Sequence, residues 1–221
     1  MPAAAVAIAA ARDSIPHANP LRNELRALAV LLLICNAPLL IGSSTHLFAF
    51  LPRTIAAGEW WRVFTHPFAH VSWYHLLLDG SAFLLLYRAL ANRARSSRIR
   101  AVAACAFGSV GTAWLACPLV ADIGLCGLSG IAHGLLAITA IEMIVCKRDR
   151  VYGALSLGLV LGKCCIEALT GNAMLGAFHF GMLGTPIAVC HAGGVLGGLI
   201  FMALSYPPTS ARASAARAVE R

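Results

Sequence analysis

Charged side chains are scarce in this sequence, making up 12% of its 221 residues, whereas hydrophobic residues make up 59%. Soluble globular domains carry about 25% charged residues because their surfaces must be hydrated. The mean hydropathy of +0.78 agrees with this difference. These proportions exclude an ordinary water-soluble domain and indicate a protein that spans a lipid bilayer.

Three further features are missing. The eight cysteines show no C-x-x-C spacing, so zinc and thioredoxin-like sites are not predicted, and we expect neither a metal nor a cofactor. The N-terminal region has no basic stretch ahead of its apolar residues, so we predict no cleaved signal peptide. We also find no internal repeat, which argues against a transporter built from inverted repeats.

The positive residues behind the formal net charge of +8 are distributed unevenly along the chain. Fourteen of the 17 Lys and Arg residues lie near the two chain ends and in residues 88–100 and 147–150, whereas only Arg53 and Arg62 lie in the alternate loops. Cytoplasmic loops of membrane proteins show this excess of positive charge. The charge therefore indicates membrane topology, and we expect no nucleic-acid partner.

Six apolar segments are long enough to cross a bilayer as helices. They comprise residues 25–41, 71–91, 101–120, 124–146, 151–169 and 186–205. The sequence thus predicts an all-α membrane protein, with a six-transmembrane-helix bundle at 25–205 between a cytoplasmic N-terminal tail, 1–24, and a basic cytoplasmic tail, 206–221.

Polar residues inside a membrane are costly and call for a reason. With both termini inside, the second, fourth and sixth segments all enter from outside. His75 and Asp79, Ser129 and His191 then lie within one to two turns of that face. We expect them to converge in the outer third of the bilayer.

These residue types suit nucleophilic catalysis. A serine hydroxyl is a weak nucleophile until a base, usually histidine, takes its proton. Ser129 lies near a helix N-terminus, where backbone N–H groups can stabilise an oxyanion. Gly127 and Gly130 allow close approach of a substrate backbone. A Gly-x-Ser-Gly sequence also occurs in membrane helices for packing alone, but the agreement in depth favours catalysis.

The polar positions occur in a recognisable order: Trp61-Arg62, His66, His70, His75, Asp79, Gly127-x-Ser129-Gly130 and His191-x-x-Gly194-x-x-x-Gly198. Over residues 58–200 this order resembles the rhomboid intramembrane serine proteases. The resemblance implies a six-helix core, with Ser129 as nucleophile, His191 as general base and no acidic third member. It also implies that His75 and the Ser129 backbone N–H line an oxyanion hole.

Two positions qualify this resemblance. Rhomboids usually carry Asn where this chain has Asp79, so its carboxyl group must be protonated, turned away or paired, for instance with His75. His133 matches a position that is usually aromatic in rhomboids and stacks on the catalytic histidine. The alternative for His133 is a buried, hydrogen-bonded histidine.

A narrower resemblance is to the rhombosortases, a subfamily of small rhomboids. It rests on four stretches: Gly58-Glu59-Trp60-Trp61-Arg62, His75-Leu-Leu-Leu-Asp79, Gly127-Leu-Ser129-Gly-Ile-Ala-His133-Gly134 and Lys163-x-x-x-Glu167. It implies membrane-anchored protein substrates, cleaved at a C-terminal tail with a Gly-Gly-type motif, a hydrophobic helix and basic residues. It also implies a bacterial inner membrane, with the active site toward the periplasm.

Two residue pairs give further expectations. Lys163 and Glu167 share one helix face, either as a structural ion pair or, since the fifth helix of rhomboids borders the substrate gate, as residues that select the substrate. Cys126 and Cys190 are close in sequence to Ser129 and His191, so we predict a disulfide between them.

The alternatives to the tail-cleaving enzyme are a general rhomboid protease of single-span proteins and a non-catalytic rhomboid-like chaperone.

Overall fold

The structure is a computed structural model, and it describes residues 20–42, 46–90, 92–145, 149–174, 182 and 184–205. Within these residues it is built from helices, six of them with at least 16 residues. In chain order they are α1 Pro20–Cys35, α2 Pro52–Ala56, α3 Arg62–Thr65, α4 Trp73–Ala89, α5 Arg95–Ala116, α6 Val120–Ile123, α7 Ser129–Val145, α8 Arg150–Thr170 and α9 Val189–Ser205. Each long helix overlaps one predicted apolar segment. The predicted tail 206–221 and most of the tail 1–24 lie outside the described residues.

The outer surface of this bundle is apolar. Two helices, α5 and α8, are long and apolar enough to cross a membrane. Only 28% and 22% of their most apolar stretches are buried, so neither is the buried core helix of a soluble protein. α7 and α9 are apolar but have 17 residues each, a rise of about 26 Å against a hydrocarbon core of about 30 Å. An α-helical membrane bundle fits these features, and the number of six spans stays a prediction.

Glycines allow α9 to lie directly against its neighbours. A Cβ atom built on Gly194 would overlap the carbonyl group of Gly130, and one on Gly198 would lie 2.6 Å from the carbonyl oxygen of Gly134. Gly194 and Gly198, which the sequence shows four residues apart after His191, therefore pack against α7. Small residues bring helix backbones close together in membranes, where no hydrophobic effect drives helices together.

α7 begins at Ser129, five residues after the start of the apolar segment 124–146 that predicted it. Gly124 and Gly127 have φ angles of +74° and +102°, which side-chain-bearing residues rarely adopt. Between them, Leu125 exchanges backbone hydrogen bonds of 2.8 and 2.9 Å with Phe50. The glycines keep this stretch out of the helix, so Ser129 becomes the first residue of α7.

Two buried polar side chains fix the segment between α1 and α4. The side chain of Asn36 donates to the carbonyls of Leu32 and Phe68, both at 2.7 Å, and accepts from the His70 N–H at 2.8 Å. The guanidinium of Arg62 donates to the carbonyl of Ala49 at 3.1 Å and to that of His46. The segment between α1 and α4 lies beside the candidate active site described below.

Candidate active site

Ser129 and His191 are in direct contact. Ser129 begins α7 and His191 is the third residue of α9. The Nε2 atom of His191 lies 3.1 Å from Ser129 Oγ, within hydrogen-bond distance. The close glycine contacts of α9 with α7 bring these helix ends together, as the depth argument predicted.

The backbone around Ser129 favours negative charge. The first N–H groups of a helix have no partner within the helix and point outward with the positive end of its dipole. The Ser129 N–H is such a group, whereas the Gly127 N–H donates to the carbonyl of His66 at 3.1 Å. A side chain at Gly127 would lie 2.9 Å from Asp79 and 3.0 Å from His75, so the turn leaves room only for glycine.

The other ring nitrogen of His191 contacts a carboxylate. His191 Nδ1 lies 2.6 Å from Glu167 Oε2, and Glu167 Oε1 lies 2.6 Å from Lys163 Nζ. Lys163 Nζ is also 3.4 Å from His191 Nδ1. The ion pair between Lys163 and Glu167 was one of the two expectations for these residues. Its contact with His191 was missed.

His133 stacks on the face of His191. The ring centroids are 4.2 Å apart and the ring planes are inclined by 13°. At the same time, His133 Nδ1 lies 2.7 Å from the carbonyl oxygen of Ser129, one turn earlier on α7. The two alternatives for this residue are therefore both realised, since the same ring stacks and hydrogen-bonds.

Asp79 is paired with His75. Its Oδ2 atom lies 3.0 Å from His75 Nε2 and 3.8 Å from His70 Nε2. The Val71 N–H points at His75 Nδ1 from 3.5 Å. Both nitrogens of the His75 ring thus face other groups. To line the oxyanion hole as expected, His75 would have to break its contact with Asp79.

His66 is structural in this arrangement. It lies in the loop before α4, and its Nδ1 faces the carbonyl of Val63 at 3.0 Å. Burial is the largest influence and lowers the pKa of His66 to about 4, so the ring is neutral at physiological pH. Its contribution to the site is its backbone carbonyl, which holds Gly127.

One cavity of about 660 Å³ joins these groups. Most of its polar lining comes from α4, α7, α8 and α9, His46 and Thr185 add polar groups from connecting segments, and apolar residues form most of the remaining wall. The predicted site residues on this lining are His75, Asp79, Cys126, Ser129, His133, Lys163, Glu167, Cys190 and His191. The cavity has the size of a ligand-binding cleft.

The predicted disulfide between Cys126 and Cys190 is wrong. Both are free thiols in the structure. The sulfur of Cys190 lies 4.0 Å from Ser129 Oγ, so this side chain belongs to the wall beside the serine.

Three groups in the site are of the kind that bind metals. One ligand atom each from His133, Glu167 and His191 lies within 4.8 Å of the others. However, the Lys163 ammonium group already contacts the Glu167 carboxylate at 2.6 Å. A divalent cation would have to displace this positive charge, so the cluster favours proton transfer over metal binding.

Comparison with known protein families identifies one domain. The model of the Rhomboid domain matches residues 57–208, which include every predicted site residue. Comparison with curated proteins and with solved structures gives no significant match.

Proposed function

This chain belongs to the rhomboid family, whose members are integral to membranes, and we propose that it is an intramembrane serine protease with Ser129 as nucleophile and His191 as base. The observation that carries the proposal is the 3.1 Å contact between Ser129 Oγ and His191 Nε2. An intact serine–histidine contact beside a cavity argues against a non-catalytic relative.

The contact between Ser129 and His191 supports the following reaction. His191 Nε2 takes the hydroxyl proton as Ser129 Oγ attacks the scissile carbonyl carbon. The resulting oxyanion is stabilised by the Ser129 N–H at the N-terminus of α7. On collapse, the C–N bond breaks and the Nε2 proton passes to the leaving amine, which leaves an ester on Ser129. Water then gives a proton to Nε2 and attacks this ester, and the proton returns to Oγ.

For the substrate, we infer membrane-anchored proteins with a C-terminal tail that combines a Gly-Gly-type motif, a hydrophobic helix and basic residues. The support is the rhombosortase-like stretches of the sequence, which include Lys163 and Glu167. Both residues line the same cavity as Ser129. A Gly-Gly segment has little side-chain bulk, so its polar backbone can reach polar groups at the cavity wall.

The same proposal includes the location and orientation. Basic residues near 88–100 and 147–150 favour cytoplasmic loops and termini, with the active site toward the periplasm of a bacterial inner membrane. Secreted proteins anchored by their tails would meet the enzyme on that side.

The test is cleavage in liposomes by the purified full chain. One reporter carries the Gly-Gly-type tail, a second carries an ordinary single transmembrane span, and mass spectrometry identifies the products. Ser129→Ala and His191→Ala should each abolish cleavage, and the double variant should be no worse, because nucleophile and base act as a unit. Ser81→Ala, at an exposed serine of α4, is the matched control. Cleavage by Ser129→Ala would refute the mechanism, and equal cleavage of both reporters would indicate a general rhomboid protease.

A further inference from the structure

Glu167 is an ionisable residue whose side chain is fully buried at the site. Its Oε2 atom lies 2.6 Å from His191 Nδ1. Its Oε1 atom accepts from Lys163 Nζ at 2.6 Å and from the Met174 N–H at 2.9 Å. Burying a carboxylate is costly even when it is paired, so its position calls for an explanation beyond stability.

The contact with His191 determines which ring nitrogen carries the proton. An ionised carboxylate can only accept hydrogen bonds, so the 2.6 Å contact requires a proton on His191 Nδ1. In the neutral ring the lone pair is then on Nε2, the atom that faces Ser129 Oγ. This is the tautomer that can take the serine proton.

Lys163 fixes the carboxylate in turn. Lys163 lies one helical turn before Glu167 on α8, and its ammonium group contacts Oε1 of Glu167. Oε2 of Glu167 is therefore left for His191. The positive charge also favours the ionised form of Glu167 in a buried place. With the Met174 N–H on the same oxygen, the carboxylate is held from two sides.

We propose that Glu167 is a positioning residue that orients His191 and holds it in the Nδ1–H tautomer, so that the site is a Ser129–His191–Glu167 triad. This inference rests on the proposed function. It differs from the expectation of a serine–histidine pair without an acidic member. Glu167 does not touch the reacting atoms and acts through His191.

The first test compares Glu167→Gln with a control carboxylate. Glutamine has one acceptor oxygen, so it cannot accept from both His191 and Lys163 through separate oxygens, and its amide group would favour the wrong tautomer. Removing the carboxylate charge in a Ser-His-Asp triad lowers kcat by about 10⁴. We expect kcat of Glu167→Gln to fall at least ~100-fold while KM changes less than ~3-fold.

The control is Glu142→Gln. Glu142 also lies in a helix and pairs with a cation, Arg93, at 2.7 Å. It lies 13 residues after Ser129 on α7, roughly 20 Å away along the helix axis. We expect kcat of this variant to stay within ~2-fold of the wild type.

The outcomes separate this inference from the proposed function. If Glu167→Gln cleaves like the wild type while Ser129→Ala is inactive, the positioning role is refuted and the protease remains. If KM rises and kcat stays unchanged, Glu167 contacts the substrate and the positioning role is refuted as well. If Ser129→Ala cleaves, the protease mechanism itself fails.

A second measurement uses the wild-type chain and therefore does not depend on how a variant folds. Nitrogen-15 NMR of the histidine-labelled protein reports which ring nitrogen of neutral His191 carries the proton, with the signal assigned by its loss in His191→Gln. We expect the proton on Nδ1. A neutral ring protonated on Nε2 would overturn the proposal, because that form can neither donate to Glu167 nor accept from Ser129.

Discussion

Asp79 and His75 form a close pair one helical turn apart on α4, with Oδ2 of Asp79 3.0 Å from Nε2 of His75. The pair lies on the wall of the cavity that contains Ser129. An ionised carboxylate near a developing oxyanion would repel it, and a partner on the carboxylate reduces that repulsion. The pairing therefore explains how an aspartate is tolerated where rhomboids usually have asparagine.

Asparagine at position 79 should be compatible with activity. Asp79→Asn removes the repulsion and supplies N–H donors, so we expect cleavage at least equal to that of the wild type. Asp79→Leu removes the carboxylate that lies 3.0 Å from His75 Nε2 and leaves that buried ring nitrogen facing an apolar group, at a cost of about 1–3 kcal/mol, so we expect at least a roughly fivefold loss. Cleavage rates of the tail reporter measure both effects. A rate for Asp79→Asn well below that of the wild type would instead show that the carboxylate itself takes part in the reaction.

The stacking of His133 on His191 gives a second prediction. Phenylalanine at position 133 keeps an aromatic face against the base and loses only the contact to the Ser129 carbonyl. We expect His133→Phe to retain activity within about threefold and His133→Ala to lose about tenfold, because aromatic pairs contribute about 0.5–1.5 kcal/mol beyond their buried area. Initial rates under saturating substrate provide the comparison. Equal losses in the two variants would indicate that the hydrogen bond to Ser129, and not the stacking, matters.

The glycine contact between α7 and α9 should be necessary for the site. A methyl group at Gly194 would overlap the Gly130 carbonyl and push His191 away from Ser129. We expect Gly194→Ala to lower both activity and the melting temperature in detergent. Gly158→Ala is the control, since a Cβ there meets open space on α8 and alanine favours a helix by up to about 1 kcal/mol. A Gly194→Ala protein that melts and cleaves like the wild type would show that the helices can separate without loss.

The membrane topology can be tested independently of activity. Reporter fusions near residues 95, 148 and 215 should locate to the cytoplasm, and fusions near 55 and 178 should locate outside. The basis is the excess of Lys and Arg in alternate loops. Fusions near 95 and 178 on the same side would contradict the shared outer depth of Ser129 and His191.

The sequence predicted the parts of this site that depend on position along the chain. Hydropathy located all six long helices, and charge in the loops gave a common depth to Ser129 and His191. It did not predict the parts that depend on helix rotation and side-chain direction. The sequence predicted that Glu167 shares a helix face with Lys163, but only the packing of α8 on α9 shows that its carboxylate reaches His191.

Local backbone conformation explains why α7 begins later than the apolar segment predicts. Apolar composition alone extended the fourth segment back to residue 124, whereas Gly124 and Gly127 adopt positive φ angles and end that extension. The consequence is functional, since Ser129 becomes the first residue of a helix with its N–H pointing outward. The predicted Cys126–Cys190 disulfide is not formed in the structure, where both residues are free thiols.

Substrate selection by Lys163 is the last prediction, and it must be separated from the role of Glu167. Lys163 has 27% of its side chain exposed and lines the cavity, whereas the Glu167 side chain is fully buried. A variant that removes both residues would disturb His191 and could not report on the substrate. Lys163→Met retains the length of the side chain and leaves the Glu167 carboxylate in contact with His191.

If Lys163 contacts the polar backbone of an entering tail, Lys163→Met should lower cleavage of the Gly-Gly-tailed reporter at least tenfold more than cleavage of an ordinary single-span reporter. A lost hydrogen bond between a charged group and a substrate corresponds to about 1.5–3 kcal/mol, which is about 10-fold or more in rate. The ratio of kcat/KM for the two reporters, measured in the same liposomes, isolates this effect because any loss through His191 applies to both. An unchanged ratio with equal losses would assign Lys163 to holding Glu167 alone, and the substrate preference would then have to come from other residues of the cavity.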